Sequence, residues 1–158
     1  MATGGISTIE NGVKQNLEGM VQRGKSVSAY LSRVVWPKYQ KAQNERWQTE
    51  NSSQGDHWVP LNVQYARYKK KKFASYEGGG NKMMIATGKL SKGARGVDAG
   101  YFYKIISDSS FVIGMNLSSV PYAGYAGDAR PYMEFSDDTL SDWKAGIRDY
   151  ICKKQGAL

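Results

Sequence analysis

The chain has 158 residues, a length that suits one domain with its own hydrophobic core. Hydrophobic residues make up 41% of it and the formal net charge is +8, a balance that excludes a disordered polar chain. With one cysteine and one histidine, a subunit can form neither an internal disulfide nor a zinc site of the Cys/His type.

The sequence has no recognisable leader and no membrane-spanning segment. Its first residues contain neither a basic nor an apolar stretch. The longest unbroken apolar run covers residues 83–86, whereas a spanning helix needs about 20 apolar residues. We therefore expect a protein that works, or is assembled, in a reducing cytoplasm and contacts no membrane.

Two helices are predicted in the N-terminal third. Over residues 6–23, apolar side chains recur at steps of three and four, residues 7–10 have the sequence of a capping box, and Gly24 suits the end of the helix. We expect this N-terminal helical region, residues 1–25, to be mobile. A second helix is predicted over residues 26–48 with Ser26 as its cap. Pro37 is expected to bend or end that helix, because proline lacks an amide hydrogen.

The middle of the chain predicts short helices separated by loops. A polar loop over residues 51–56 precedes a helix over residues 60–74, and Pro60 suits the first position of that helix. The apolar residues of this helix that fall on one side are Leu61, Tyr65 and Tyr68, and four consecutive lysines then cover every face of the next turn. The glycine-rich residues 76–82 predict a flexible loop, and residues 83–92 predict a short helix that ends near Gly93.

The C-terminal third has a different character. Aromatic and β-branched residues over 101–107 and 111–115 predict a β-hairpin. Residues 120–131 predict a loop, and residues 132–135 predict one more strand. Ser136 is expected to cap a last amphipathic helix whose first turn holds two aspartates.

Together these elements predict one α+β domain in three parts. We expect N-terminal helices first, then a small antiparallel or mixed sheet with a central hairpin. A C-terminal amphipathic helix then packs on that sheet.

The positive charge is concentrated in one segment. Between Arg67 and Lys104 there are ten basic and two acidic residues, which hold the whole excess of +8. Such a block is typical of contact with nucleic acid, of contact with an acidic partner, or of a solvated surface. Tyrosine and phenylalanine rings lie among the lysines and could stack on bases.

No pattern for catalysis or nucleotide binding is complete. Residues 87–90 resemble the end of a phosphate-binding loop, but Leu90 stands where serine or threonine is needed. His57 follows Asp56 directly, and adjacent side chains diverge too far to orient one another, so a hydrolase that uses His57 is a minor alternative. Cys152, next to the apolar face of the last helix, is typical of an unreactive thiol. We expect no enzyme, no cofactor and no metal.

Three short patterns occur in a fixed order along the chain. The first is Trp-Val-Pro-Leu at residues 58–61, followed by Tyr65 and the lysines. The second is Ile-Ala-Thr-Gly-Lys-Leu at residues 85–90, and the third runs from Tyr122 and Ala123 through Gly127 to Ala-Arg-Pro-Tyr-Met at residues 129–133. In this order and spacing they resemble the tail-completion and virion-morphogenesis proteins of tailed bacteriophages, which are small head–tail joining, or neck, proteins. The resemblance covers residues 45–151.

The resemblance implies a structural virion protein that completes the tail and joins it to the DNA-filled head. It implies a homo-oligomeric ring of six copies between two partners, the head connector or stopper protein and the tail terminator or tail tube protein, with genomic DNA passing through the channel. A ring subunit needs two different faces that meet head-to-tail. The localisation implied is the virion neck, with assembly in the cytoplasm of the host bacterium.

The resemblance also assigns roles to particular residues. Candidates for contact with a partner ring or with channel DNA are Arg67, Lys69, Lys70, Lys71, Lys72 and Arg130. Motif residues expected to maintain the fold are Trp58, Pro60, Leu61, Tyr65, Thr87, Gly88, Leu90, Tyr122, Ala123, Gly127, Pro131 and Tyr132. Among these, Thr87 and Gly88 are expected to form a turn or cap. Arg130 is expected to pair with an acid in its own subunit or in a neighbouring subunit.

A basic nucleic-acid-binding protein is the alternative function. It predicts DNA binding that weakens steeply with salt. For the lysine block, we predict that changing all four lysines to glutamine reduces assembly without lowering the melting temperature.

Overall fold

A computed structural model describes residues 4–52 and 55–152 of the chain. In chain order, its helices are α1 (Gly4–Lys25), α2 (Ser28–Tyr30), α3 (Trp36–Thr49), α4 (Val63–Lys72), α5 (Lys89–Ala94), α6 (Ala123–Ala129) and α7 (Asp137–Cys152), and its strands are β1 (Phe102–Ile106) and β2 (Phe111–Met115). A π-helical segment, Leu31–Val35, joins α2 to α3. The predicted α+β class is confirmed.

The predicted second helix exists, but Pro37 does not end it. The π-helical segment lies directly before α3, and Pro37 lies in the first turn of α3. The amide of Trp36 donates to the carbonyl of Leu31, five residues earlier. Proline is tolerated at the start of a helix, because amides of the first turn need no helical partner. The wider turn therefore lets the helical path continue through Pro37.

The predicted start of α1 is wrong. The helix begins at Gly4, so residues 7–10 lie inside it and cannot form its cap. It also continues through Gly24 to Lys25. Arg23 near its end donates from Nε to the carbonyl of Ile151 in α7, at 3.2 Å. The predicted mobility of α1 stays a prediction.

Two helices in the middle of the chain begin later than predicted. Helix α4 begins at Val63, because the side chain of Asn62 caps it by accepting a hydrogen bond from the amide of Gln64 at 2.9 Å. Pro60 lies outside the helix, on an exposed stretch. Helix α5 begins at Lys89, so only the second half of the predicted helix over residues 83–92 is helical.

The β-hairpin is confirmed, and two predictions beyond it are wrong. Strands β1 and β2 pair antiparallel, with Phe102 opposite Met115 and Ile106 opposite Phe111. Residues 120–131 were predicted to be a loop but contain helix α6. Residues 132–135 form no strand, and the hairpin is the whole sheet among the described residues.

Helix α7 has the cap and the apolar face that its sequence predicts. The hydroxyl of Ser136 accepts a hydrogen bond from the amide of Thr139 at 3.2 Å. On its apolar face, Trp143 and Ile147 pack against buried residues that include Val27, Leu31 and Val35. The same cluster takes in Ile106 and Phe111 of the hairpin, so α7, the N-terminal helices and the sheet share one apolar core.

A second core lies around two tryptophans. Its buried residues are Trp47, Trp58, Ile85, Leu90, Ala94, Met115, Val120, Ala123 and Tyr132. They come from α3, α5, β2 and α6, and from the segments before α4, before α5 and on both sides of α6. This core therefore holds the middle and the C-terminal part of the chain together. We call it the tryptophan core.

Candidate functional site

The motif residues from three separate stretches of sequence meet in the tryptophan core. Trp58 from the first motif, Leu90 from the second, and Ala123 and Tyr132 from the third are all buried in it. Their expected role in maintaining the fold is supported by this convergence. Three other motif residues, Pro60, Tyr65 and Tyr122, are exposed.

Hydrogen bonds donated by aromatic side chains fix the geometry of this core. The rings of Trp47 and Trp58 lie edge to face, with centroids 5.2 Å apart. The indole Nε1 of Trp58 donates to the carbonyl of Pro131 at 3.3 Å. The hydroxyl of Tyr132 donates to the carbonyl of Ala123 at 2.9 Å. The first and third motifs are therefore joined directly to each other.

A buried arginine that the sequence did not single out holds the C-terminal segment. Arg46 of α3 donates from Nη1 to the carbonyl of Tyr132 at 2.8 Å and from Nη2 to that of Glu134 at 2.7 Å. Burial lowers the pKa of Arg46, and the neighbouring Tyr39 and Glu134 partly oppose that effect. The segment predicted as a strand thus takes its hydrogen bonds from a side chain.

Among the described side chains of its own subunit, no acid pairs with Arg130. Its Nε and Nη2 both donate to the carbonyl of Val59, at 3.0 and 2.8 Å. Its backbone is extended, as expected for a residue before proline. Arg130 also borders a cavity of about 190 Å³ that Leu61, Tyr65 and Leu90 line. The expectation that it meets a partner ring or DNA stays a prediction.

Gly88 occupies the N-cap position of α5, as expected, whereas the side chain of Thr87 forms no capping hydrogen bond. Gly88 precedes α5 with φ +82°, a conformation that glycine adopts without strain. The hydroxyl of Thr87 is buried and has no hydrogen-bond partner among the described residues. Leu90, two residues further on, packs in the tryptophan core as predicted. Gly127 of the third motif falls inside α6.

Helix α4 presents a cationic face to solvent. Arg67, Lys70, Lys71 and Lys72 are exposed. Tyr65 and Tyr68, which were predicted to line the packed side of the helix, are 47% and 50% exposed, and their ring centroids lie 6.1 Å apart. Lys72 lies over the ring of Tyr68, and its hydrogen bond to that tyrosine raises the pKa of Lys72. We call these six residues the α4 face.

Lys69 does not belong to this face, contrary to the prediction. It is only 2% exposed, and its Nζ donates to the carbonyl of Lys82. Burial lowers the pKa of Lys69, and the nearby Glu50 partly opposes that effect. Glu50 also accepts a hydrogen bond from the amide of Met83. The first lysine of the run therefore fixes the glycine-rich loop, whereas the next three face solvent.

The groups considered for catalysis, His57 and Cys152, are both exposed. His57 is exposed and forms an isolated β-bridge with Asn51. Cys152 is exposed at the end of α7. Over residues 4–52 and 55–152, no three His, Cys, Asp or Glu side chains are grouped so that they could hold a metal ion.

Comparisons with protein-family models, with curated proteins and with solved structures found no match to the chain. The resemblance to phage proteins therefore rests on the three motifs alone. Within the described part of the chain, no helix is both long and apolar enough to cross a membrane.

Proposed function

We propose that the chain is a structural protein of a phage virion neck, which forms a ring that completes the tail and joins it to the filled head. The observation that carries this proposal is the ordered set of three motifs over residues 45–151. Support comes from the packing of these motifs, since Trp58, Leu90, Ala123 and Tyr132 share one core.

Two unlike apolar patches support assembly into a ring. On α1, Val13, Leu17 and Val21 recur every four residues and are each more than half exposed. On the hairpin, Tyr103 and Ile105 of β1 and Val112 of β2 are also exposed. Apolar side chains that share one helix face or one sheet face are typical of surfaces that a partner covers. A closed ring requires two different surfaces of this kind on each copy.

The α4 face suits a third contact of the same assembly. Its exposed cations can meet channel DNA or an acidic surface of an adjacent ring. Because Lys69 is used inside the subunit, this contact involves Arg67 and the last three lysines of the run.

The ring proposal is tested by complementation of phage extracts. Extract from a phage with this gene disrupted is mixed with purified protein, and infectious particles are counted. Wild-type protein is expected to restore infectivity, and Leu17→Glu is expected to abolish it because the charge disrupts the exposed apolar stripe. Gln15→Glu adds the same charge to α1 outside the stripe and serves as the control. Full activity of Leu17→Glu would contradict the proposed contact.

The α4 face also favours a second candidate function, binding of nucleic acid. Exposed tyrosine rings beside exposed lysines can stack on bases while the lysines contact phosphates. A fluorescent single-stranded oligonucleotide tests this by anisotropy at several salt concentrations. Binding that falls with salt and is lost in Tyr68→Ala favours this function, and the absence of binding at physiological salt would exclude it.

A further inference from the structure

Another part of the basic segment lines a cavity of about 440 Å³. It lies between α3, the turns over residues 75–88, and α5 with the residues that follow it. Its lining includes three basic side chains, Lys82, Lys92 and Arg95, and one acidic side chain, Glu77. Its volume falls in the range of ligand sites. The cavity therefore has the size of a binding site and an excess of positive charge.

Two buried polar atoms in the lining have no partner. Trp47 and Thr87 both line this cavity, and neither the indole Nε1 nor the hydroxyl Oγ1 has a hydrogen-bond partner among the described residues. Nearly all buried polar groups are hydrogen-bonded, so each unpaired group calls for an explanation. An indole N–H can only donate. The missing partner of Trp47 is therefore a hydrogen-bond acceptor.

Arg95 is placed to bind an anion. Its Nε donates to the carbonyl of Ser91 at 3.3 Å, which fixes the plane of the guanidinium group. Within the described residues, no hydrogen bond uses its two terminal nitrogens. The guanidinium fork matches the oxygens of phosphate, and the two lysines supply further charge.

We propose that this cavity binds a phosphate group, carried either by a small phosphorylated compound or by a nucleic-acid strand. Lys82, Lys92 and Arg95 balance its charge. The indole N–H of Trp47 and the hydroxyl of Thr87 are sealed from solvent in the free protein, and they donate to its oxygens after a local rearrangement of the lining. The site is separate from the apolar patches of α1 and the hairpin. It does not depend on the ring proposal.

Thermal unfolding with sodium pyrophosphate at constant ionic strength tests the site. The melting temperature of the wild-type protein is expected to rise with pyrophosphate concentration, because a ligand that binds only the folded state stabilises it. Arg95→Gln and Lys92→Gln are each expected to weaken the apparent affinity at least tenfold. Lys92 is exposed, so its loss should leave the fold intact. Lys71→Gln removes the same charge from the α4 face and is expected to bind pyrophosphate like the wild type.

Thr87→Val separates ligand binding from folding. Because the hydroxyl of Thr87 has no partner in the free protein, its removal should not lower the melting temperature without pyrophosphate. The same variant is expected to reduce the rise in melting temperature that pyrophosphate causes. If Thr87→Val lowers the melting temperature of the free protein, the hydroxyl has an internal partner and the proposed donor role is wrong.

A fluorescent single-stranded oligonucleotide distinguishes the two sources of the phosphate. If Arg95→Gln weakens oligonucleotide binding at least tenfold and pyrophosphate competes with the strand, the phosphate belongs to nucleic acid. If pyrophosphate binds in an Arg95-dependent way and the oligonucleotide does not, the ligand is a small compound. The proposal is overturned if neither probe binds at millimolar concentration, or if Lys71→Gln weakens pyrophosphate binding as much as Arg95→Gln does.

Discussion

The side chain of Arg46 forms hydrogen bonds with residues 132–134 that a neighbouring β-strand would form if this segment lay in a sheet. Its guanidinium group satisfies two backbone carbonyls of the C-terminal segment, those of Tyr132 and Glu134. Arg46→Met keeps most of the side-chain volume but leaves both carbonyls without this donor. We expect the free energy of unfolding in urea to fall by roughly 1–3 kcal/mol, because the buried carbonyl of Tyr132 loses its donor. The carbonyl of the exposed Glu134 can bond to water instead.

Arg67→Met is the matched control for this prediction. Arg67 is exposed on α4, so its loss should change the free energy of unfolding by less than about 0.5 kcal/mol. Equal effects of the two substitutions would mean that the bonds of Arg46 contribute nothing to stability.

Gly96 combines a left-handed backbone with a close aromatic neighbour. Its φ is +64°, and a Cβ atom there would lie 2.2 Å from the ring of Trp36. That ring cannot move easily, because it stacks on Tyr39 and Phe102. Gly96→Ala should therefore destabilise the protein by the conformational cost of roughly 1–2 kcal/mol and by a further 1–3 kcal/mol or so from overpacking.

Gly55→Ala isolates the conformational part of that cost. Gly55 also has a positive φ, +91°, but no atom lies within 4 Å of its added Cβ. Thermal or urea unfolding should show that Gly96→Ala is the more destabilising by at least about 1 kcal/mol. Similar losses for both variants would mean that Trp36 yields to the added methyl group.

Buried tyrosines predict loss of stability at alkaline pH. Burial raises the pKa of Tyr132 from 10.0 to about 12, and it raises the pKa of Tyr39 as well. Between pH 10 and pH 12 the unfolded chain releases these protons while the folded protein keeps them. The stabilisation is thus complete below pH 10 and is lost as the pH rises to 12, by at most about 1.4 kcal/mol per pH unit for each tyrosine.

Tyr132→Phe tests the assignment of this pH dependence. The variant should lose less stability than the wild type between pH 10 and pH 12, as measured by urea unfolding. It should also be less stable at pH 7, because the hydrogen bond to the carbonyl of Ala123 is removed. An unchanged slope with pH would show that Tyr132 ionises as easily in the folded protein as in the unfolded chain.

At the level of elements, the burial of Lys69 changes which substitutions can test the role of the α4 lysines. A substitution of all four cannot separate assembly from folding, because Lys69 is buried and bonded to the carbonyl of Lys82. Lys69→Met alone should lower the melting temperature. Changing Lys70, Lys71 and Lys72 together to glutamine should leave the melting temperature unchanged and reduce complementation of phage extracts.

Two outcomes would contradict the proposed division of the lysine run. Equal loss of melting temperature in Lys69→Met and in the triple variant would assign all four lysines to the fold. Full complementation by the triple variant would show that the α4 face makes no contact needed for assembly.

Elements whose hydrogen bonds are local could be predicted from the sequence. The hairpin follows from two runs of aromatic and β-branched residues, and both strands are where the pattern places them. The N-terminus of α7 follows from Ser136, whose hydroxyl caps the amide of Thr139. In each case the signal and its structural effect lie within a few residues of each other.

Elements that depend on distant partners could not be predicted. Residues 132–135 have a strand-like composition, but Arg46, more than 80 residues earlier, supplies their hydrogen bonds. Pro37 predicted a break because a one-dimensional pattern does not reveal that a π-helical turn precedes it. Helix α6 is short and rich in glycine and alanine, so it lacks an apolar period.

The candidate site was only partly predictable for the same reason. The basic segment and its tyrosines were visible in the sequence, and the α4 face contains both. The burial of Lys69 was not visible, because four identical residues give no sign of which one points inward. The cavity beside Arg95 joins residues from α3 to α5, and no spacing rule brings Trp47 together with Thr87.

For the whole molecule, the exposed surface includes separate apolar and cationic regions. The exposed side chains of Val13, Leu17 and Val21 on α1 and those of Tyr103, Ile105 and Val112 on the hairpin are apolar. The α4 face and the rim of the cavity are basic. A subunit of a ring needs apolar contacts to its two neighbours and a different surface towards DNA or the adjacent rings. The neck proposal assigns a use to the apolar surfaces of α1 and the hairpin and to the α4 face, and the cavity has the separate role proposed above.

Electron microscopy of particles made by a phage with this gene disrupted tests the central claim most directly. The neck proposal predicts DNA-filled heads and complete tails that remain separate, together with joined particles when the gene is restored. Normally joined virions without the gene product, or particles arrested at an earlier stage such as empty heads, would contradict a role in joining the tail to the filled head.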